Sequence, residues 1–170
     1  MNIRLGLDFF SRDVLKVAPE LIGKILVRRF PAGNIVRYRI AETEAYRGEE
    51  DLACHASKGR TPRTEVMYHN GGKGYVYLVY GMYQMLNFVT SNENNPQAVL
   101  IRGIEGFEGP GKLTKHLQID KTFYGEDLAT SDRIWVEDDG MPPRYNTGVR
   151  VGIDYAGDWK NKPWRFILSA

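Results

Sequence analysis

Apolar and polar residues alternate from Ile35 to Tyr46, and this run sets the pattern around which the chain is organised. Val36, Tyr38, Ile40, Glu42, Glu44 and Tyr46 fall on one parity; Ile35, Arg37, Arg39, Ala41 and Thr43 fall on the other. Successive strand side chains point to opposite faces, so the first set should face a core if no bulge intervenes. That face would then carry two carboxylates. A buried carboxylate is costly unless paired or hydrogen-bonded, and is then often functional. The alternative is a strand end emerging into water.

Upstream, Ser11 is placed to cap a short helix with Val14, Leu15 and Val17 on its apolar side, interrupted at Pro19 and stopped at Gly23. Residues 24–30 read as a strand, and Pro31-Ala32-Gly33-Asn34 as the turn joining it to 35–46. Residues 47–68 carry charge, Gly48, Gly59 and Pro62 but no sustained period, which predicts a long loop. Ordered loops of that length in small domains tend to be functional. Residues 74–83 are rich in tyrosine and β-branched residues and predict a strand. Gly81 permits a hairpin tip at Tyr80-Gly81-Met82, between strands at 75–79 and 83–89. Further strands are expected at 97–104, 133–136, 148–153 and 164–168, with a short helix at 112–118 after the break at Gly109-Pro110-Gly111. No repeat, low-complexity tract or linker divides the sequence. The expected fold is α+β, one domain over 1–170: a curved, mostly antiparallel sheet flanked by short helices, with a protruding hairpin.

Composition narrows the class. A chain of 170 residues can bury a full core, and 42% hydrophobic with 26% charged residues is the balance of a soluble globular protein. A lone cysteine, Cys54, excludes an internal disulfide and is expected as a buried thiol. Three histidines in no paired-ligand spacing give no reason to expect a structural metal. Met1 to Phe10 lacks a signal-peptide pattern, and no run approaches the roughly 20 apolar residues of a membrane span, so a cytoplasmic protein is expected. The net charge of +2 permits nucleic-acid binding without requiring it. Between His55 and Lys73, Lys58, Arg60, Arg63 and Lys73 stand against Glu65 alone, a pattern that a solvated loop also produces.

The sequence holds no phosphate-binding loop, dinucleotide fingerprint or serine-hydrolase elbow. What remains is a carboxylate, Glu44, with Tyr46, Tyr77, Tyr80, Tyr83, His55 and basic residues. This set suits gripping a flat, polar-edged ring while a carboxylate acts beside it. Strand tyrosines usually pack a core, which is expected of at least half of these four. A tyrosine at a hairpin tip is instead a candidate wedge for a base stack.

Glu42-Thr43-Glu44-Ala45-Tyr46, the spacing to His55, Tyr75-Val76-Tyr77 with Tyr80-Gly81-Met82-Tyr83, and Asn87 resemble the alkyladenine (3-methyladenine) DNA glycosylase family. Val99-Leu100-Ile101-Arg102, Gly109-Pro110-Gly111-Lys112-Leu113, Arg150-Val151-Gly152-Ile153, Ala156-Gly157, Lys162-Pro163 and Arg165-Phe166 extend the match in order, from about Leu15 to Phe166. The resemblance implies an enzyme that flips a damaged purine out of duplex DNA and hydrolyses its N-glycosidic bond. Flipping is needed because C1′ is out of reach while the nucleotide is stacked.

By the same resemblance, Glu44 activates the attacking water, Tyr46 and Tyr77 sandwich the base, and His55 completes the wall. Backbone groups at Ala53 and His55 read the edge of an adenine-like ring, and Asn87 crowds the exocyclic amine of guanine. Tyr80 fills the gap left in the duplex, with Met82 and Tyr83 beside it on a DNA-inserting hairpin. Arg60, Leu100, Arg102 and Lys112 complete the DNA-binding set, Arg102 and Lys112 on phosphates. Neither a cofactor nor a metal nor an amine nucleophile is implied, so the expected enzyme is monofunctional, without lyase activity. It would act as a monomer on double-stranded DNA, away from membranes and close to the nucleoid if prokaryotic. Expected lesions are alkylated purines such as 3-methyladenine, with 7-methylguanine, hypoxanthine and ethenoadenine as further candidates.

The chain departs from many members of that family between Arg102 and Gly109, where it has only Gly103-Ile104-Glu105-Gly106-Phe107-Glu108 in place of a longer, partly helical insertion. Two other readings stand beside the glycosylase: a binder of distorted DNA without chemistry, and a nucleoside hydrolase for small molecules. A buried Glu44 favours an enzyme over the binder. A working wedge at Tyr80 would separate the glycosylase from the nucleoside hydrolase.

Overall fold

The computed structural model describes residues 1–169, and ten strands among them join in one antiparallel sheet. The alternating run becomes β3 (Ile35–Arg47), and the sheet is arranged around it. On one edge β2 (Ile25–Arg29) pairs with the first part of β3, and β10 (Arg165–Leu168) pairs with Glu42 to Glu44 further along. On the other edge lies β6 (Gln97–Ile104), followed outward by β5 (Tyr83–Thr90) and β4 (Gly74–Val79). Beyond β2 come β8 (Ile134–Asp138) and β1 (Ile3–Arg4), while β7 (Phe107–Glu108) folds back on β6 and β9 (Tyr145–Gly148) pairs with β10. With α1 (Leu7–Phe10), α2 (Val14–Glu20) and α3 (Pro110–His116) this is the expected α+β fold.

The main core fills one face of the sheet, where Val14, Val17 and Ala18 of α2 and Leu113 of α3 meet Ile40, Phe88, Val99 and Ile101. The opposite face carries two smaller clusters, one around Met67, Tyr68 and Tyr75, the other around Ala53, Ile153 and Ala156. A space remains between them.

β3 does not keep a single phase. Ile40 pairs with Ile104 and Glu42 with Gly103, so Ala41 is extra on β3; Thr43 then pairs with Ile101, so Arg102 is extra on β6. Each bulge moves every later side chain of its strand to the other face. Ile40 and Ala45 therefore both reach the main core, and the Thr43 hydroxyl donates to the Ala18 carbonyl at 2.9 Å. Contrary to the uninterrupted alternation, Glu44 and Tyr46 face away from that core.

Three other expectations are corrected. Asp13, not Ser11, caps α2 by accepting the Leu15 N–H, and Ser11 instead donates to Leu7 at the end of α1. Helix α2 runs through Pro19 to Glu20, the lost backbone bond being offset by burying the ring. The larger correction concerns 148–153. β9 ends at Gly148, and beyond it the apparent alternation is inverted, with Val149 and Val151 exposed and Arg150 buried.

The β4–β5 hairpin turns through Tyr80 at φ +51° and Gly81 at φ +65°, both in the left-handed region that a tight type I′ turn requires. Glycine adopts it freely; a tyrosine there is strained. A Cβ on Gly111 would lie 2.7 Å from the Tyr83 ring, so only glycine lets the start of α3 support the base of the hairpin this closely.

Candidate active site

The space between the two smaller clusters is a cavity of about 530 Å³. Tyr46 comes to it from β3, Ala53 and His55 from the 48–55 loop, Tyr77 and Asn87 from the β4–β5 pair, Arg102 from the β6 bulge and Val151 from the segment after β9. Its size and its aromatic lining with few polar groups suit a small ring system.

Glu44 is fully buried behind this wall. Its Oε2 accepts the Val151 backbone N–H at 2.7 Å, its Oε1 accepts the Tyr46 hydroxyl at 2.8 Å, and Arg102 Nη1 lies 3.9 Å from Oε1. Burial pushes the Glu44 carboxyl above its ordinary pKa, while Arg102 and the two hydrogen bonds pull it back. Burial, then the Glu44 charge, pushes the Tyr46 phenol well up, so it stays a donor. Arg102 is steadied by Glu42, whose Oε2 accepts from Arg102 Nε at 2.9 Å and from Arg165 Nε at 2.7 Å. A carboxylate anchored in this way can take a proton from water and stabilise positive charge on a reacting carbon.

A second buried pair holds the walls together. Arg150 and Asp51 are fully buried at their side chains and meet through two bonds, Nη1 to Oδ2 at 2.6 Å and Nη2 to Oδ1 at 3.0 Å. Arg150 also donates to the Ala45 and Trp159 carbonyls, and Asp51 accepts the Arg47 and Ala53 N–H groups. The pair thus fixes the end of β3, the start of the Ala53–His55 stretch and the position of Val151. The inverted pattern at 149–151 follows from it: the arginine turns inward to a carboxylate 99 residues away in sequence. Nothing in the local sequence marked Asp51, and Arg150 was visible only as part of a short motif.

On the other wall Tyr75 is buried and Tyr77 half-buried, while Tyr80 and Tyr83 are exposed. His55 Nδ1 lies 2.8 Å from the Tyr75 hydroxyl, and its ring packs 4.5 Å from Tyr77. Burial, then Arg63 and Lys58, lowers the His55 pKa to about 4, so the imidazole is neutral near pH 7. Burial pushes the Tyr77 phenol up to about 12. Asn87 is buried and donates to the Tyr75 carbonyl at 3.1 Å. Cys54 is buried beside them, with its thiol pushed up to about 12 by burial, and is inert.

The structure brings Glu44, Tyr46, Ala53, His55, Tyr77, Asn87, Leu100 and Arg102 to this cavity or its wall. Arg102 faces the two carboxylates, and Leu100 is buried. At the mouth Tyr80 is 91% exposed and Met82 66%, a protruding apolar tip. Lys112 is exposed on α3, and Arg60 is exposed but bonded to Glu65 at 2.8 Å and to Asn94 at 3.1 Å. Among the described residues no group of three or more His, Cys, Asp or Glu side chains could hold a metal ion, and no helix is long and apolar enough to cross a membrane.

Fold and site together define a protein with a ring-sized cavity walled by tyrosines beside a buried carboxylate. A family model described as Methylpurine-DNA glycosylase (MPG) matches residues 8–108 and 106–170. The proteins named "Putative 3-methyladenine DNA glycosylase" of Psychrobacter cryohalolentis, Methanocella arvoryzae and Desulfitobacterium hafniense are 47%, 45% and 46% identical to this chain, over 95%, 94% and 98% of it and 90%, 89% and 95% of their own lengths. The chain belongs to the methylpurine-DNA glycosylase family, and is thus an enzyme of the DNA-glycosylase class. The two parts of the family match overlap at 106–108, the end of the tight turn after β6 together with β7, and the alignment to the Psychrobacter protein spans 191 positions against 170 residues here.

Proposed function

We propose that this enzyme excises alkylated and otherwise damaged purines, 3-methyladenine foremost, from duplex DNA by hydrolysis, with Glu44 activating the water. The observation that carries this reading is Glu44 itself: a carboxylate kept in a buried wall by Val151, Tyr46 and Arg102, next to a ring-sized cavity. A protein that only bound DNA would gain nothing from a buried carboxylate where phosphates approach.

The flipped base stacks between Tyr46 and Tyr77, with His55 at the side and the backbone of Ala53 at its edge. Tyr80 takes its place in the duplex. As the bond from C1′ to the base breaks, its electron pair leaves with the base, and a cationic methylated purine departs neutral without needing a proton. Water adds to C1′ and gives its proton to Glu44. General-base help of this kind is worth ~10²–10⁴ in rate. Because water is the nucleophile, no Schiff base forms and the strand is left uncut at an abasic site.

The test is release of free base from duplex oligonucleotides bearing single lesions, with borohydride trapping in parallel. Base release without a trapped adduct is expected. A trapped covalent adduct would replace water with an amine nucleophile, and duplex binding without release of any base would leave only a binder of damaged DNA.

A further inference from the structure

Both tyrosine walls carry a guanidinium over the ring. Arg150 lies 5.0 Å from the centre of the Tyr46 ring, and Arg63 lies 5.0 Å from that of Tyr77. Neither arginine is among the residues that line the cavity. The two differ in what balances their charge. Arg150 is neutralised by the bidentate bond to Asp51. Arg63, exposed on the loop before the Glu65–Tyr68 turn, has no carboxylate within ion-pair distance among the described residues.

A tyrosine face attracts a cation through its quadrupole. A guanidinium already over the ring takes up part of that attraction, and its unbalanced charge repels a second cation brought to the same ring. We propose that Arg63 is a positioning residue for substrate choice: set over the Tyr77 ring, it holds down the pocket's preference for cationic purines and lets neutral damaged purines compete. The inference rests on the glycosylase reading above. Arg63 touches no base and acts through the Tyr77 ring. The same uncompensated charge helps to keep His55 neutral, so the wall next to the base carries no imidazolium.

The experiment is single-turnover base release from two duplexes, one with 7-methylguanine (cationic) and one with hypoxanthine (neutral), by wild type, Arg63→Gln and Arg63→Lys. Removing the charge is expected to raise the ratio of cationic to neutral release by about threefold to tenfold. Lysine, which keeps the charge, should return the ratio towards the wild-type value. An unchanged ratio in Arg63→Gln, or both releases falling together, overturns the proposal and makes Arg63 a DNA or folding contact. Release of neither base by wild type overturns the glycosylase reading itself, and the proposal with it.

Discussion

The backbone N–H of Val151 meets Oε2 of Glu44 at 2.7 Å, across a sequence separation of 107 residues. The contact exists because Arg150, one residue earlier, is locked to Asp51 beneath it. Removing one partner of a buried pair leaves the other charge stranded. Arg150→Met should therefore cost about 3–5 kcal/mol in urea unfolding, and Asp51→Asn in the same background should recover part of that loss. If Arg150→Met unfolds like wild type, the pair does not hold the wall.

Glu44 should itself be a source of instability. A carboxyl whose folded pKa lies above its unfolded value binds more protons when folded, so stability falls as pH rises through that window, and the cost persists at neutral pH. Glu44→Gln should accordingly raise stability at neutral pH, a gain that shrinks below the carboxyl range. Denaturant unfolding at two pH values measures it.

Excision should follow the same ionisation. With a cationic lesion, whose base needs no proton to leave, the single-turnover rate should rise with pH through a pKa above the ordinary carboxyl value of 4.5 and then level off. His55, held at about 4, should add no step near the usual imidazole value of 6.5. A step there would mean that His55 titrates and takes part.

Tyr80 projects into solvent from a strained turn, so Tyr80→Ala should alter unfolding by no more than ~0.5 kcal/mol. Unstacking a base step costs a few kcal/mol, and without the wedge excision from duplex DNA should fall by about tenfold or more. Unimpaired excision from the duplex would mean that Tyr80 is not the wedge.

The strands, the hairpin tip and the carboxylate near the end of β3 were legible because period-2 alternation and turn glycines are local signals. The facing of Glu44 was not. It depends on bulges at Ala41 and Arg102 that must arise together in two strands, and neither residue type announces one. The segment 148–153 misled for a related reason. Its valines and isoleucine alternate as a strand would, yet Arg150 turns inward because its partner is a carboxylate far away in sequence. Arg63 read as one charge in a solvated cluster, and only its place over Tyr77 separates it from its neighbours.

The most direct test of the account is single-turnover base release by wild type and Glu44→Gln from duplexes to which both are shown to bind. Release by wild type and a loss of about 10²-fold or more in the variant are expected, with affinity for the duplex retained. Equal rates from the two proteins would contradict it and move the chemistry to another residue.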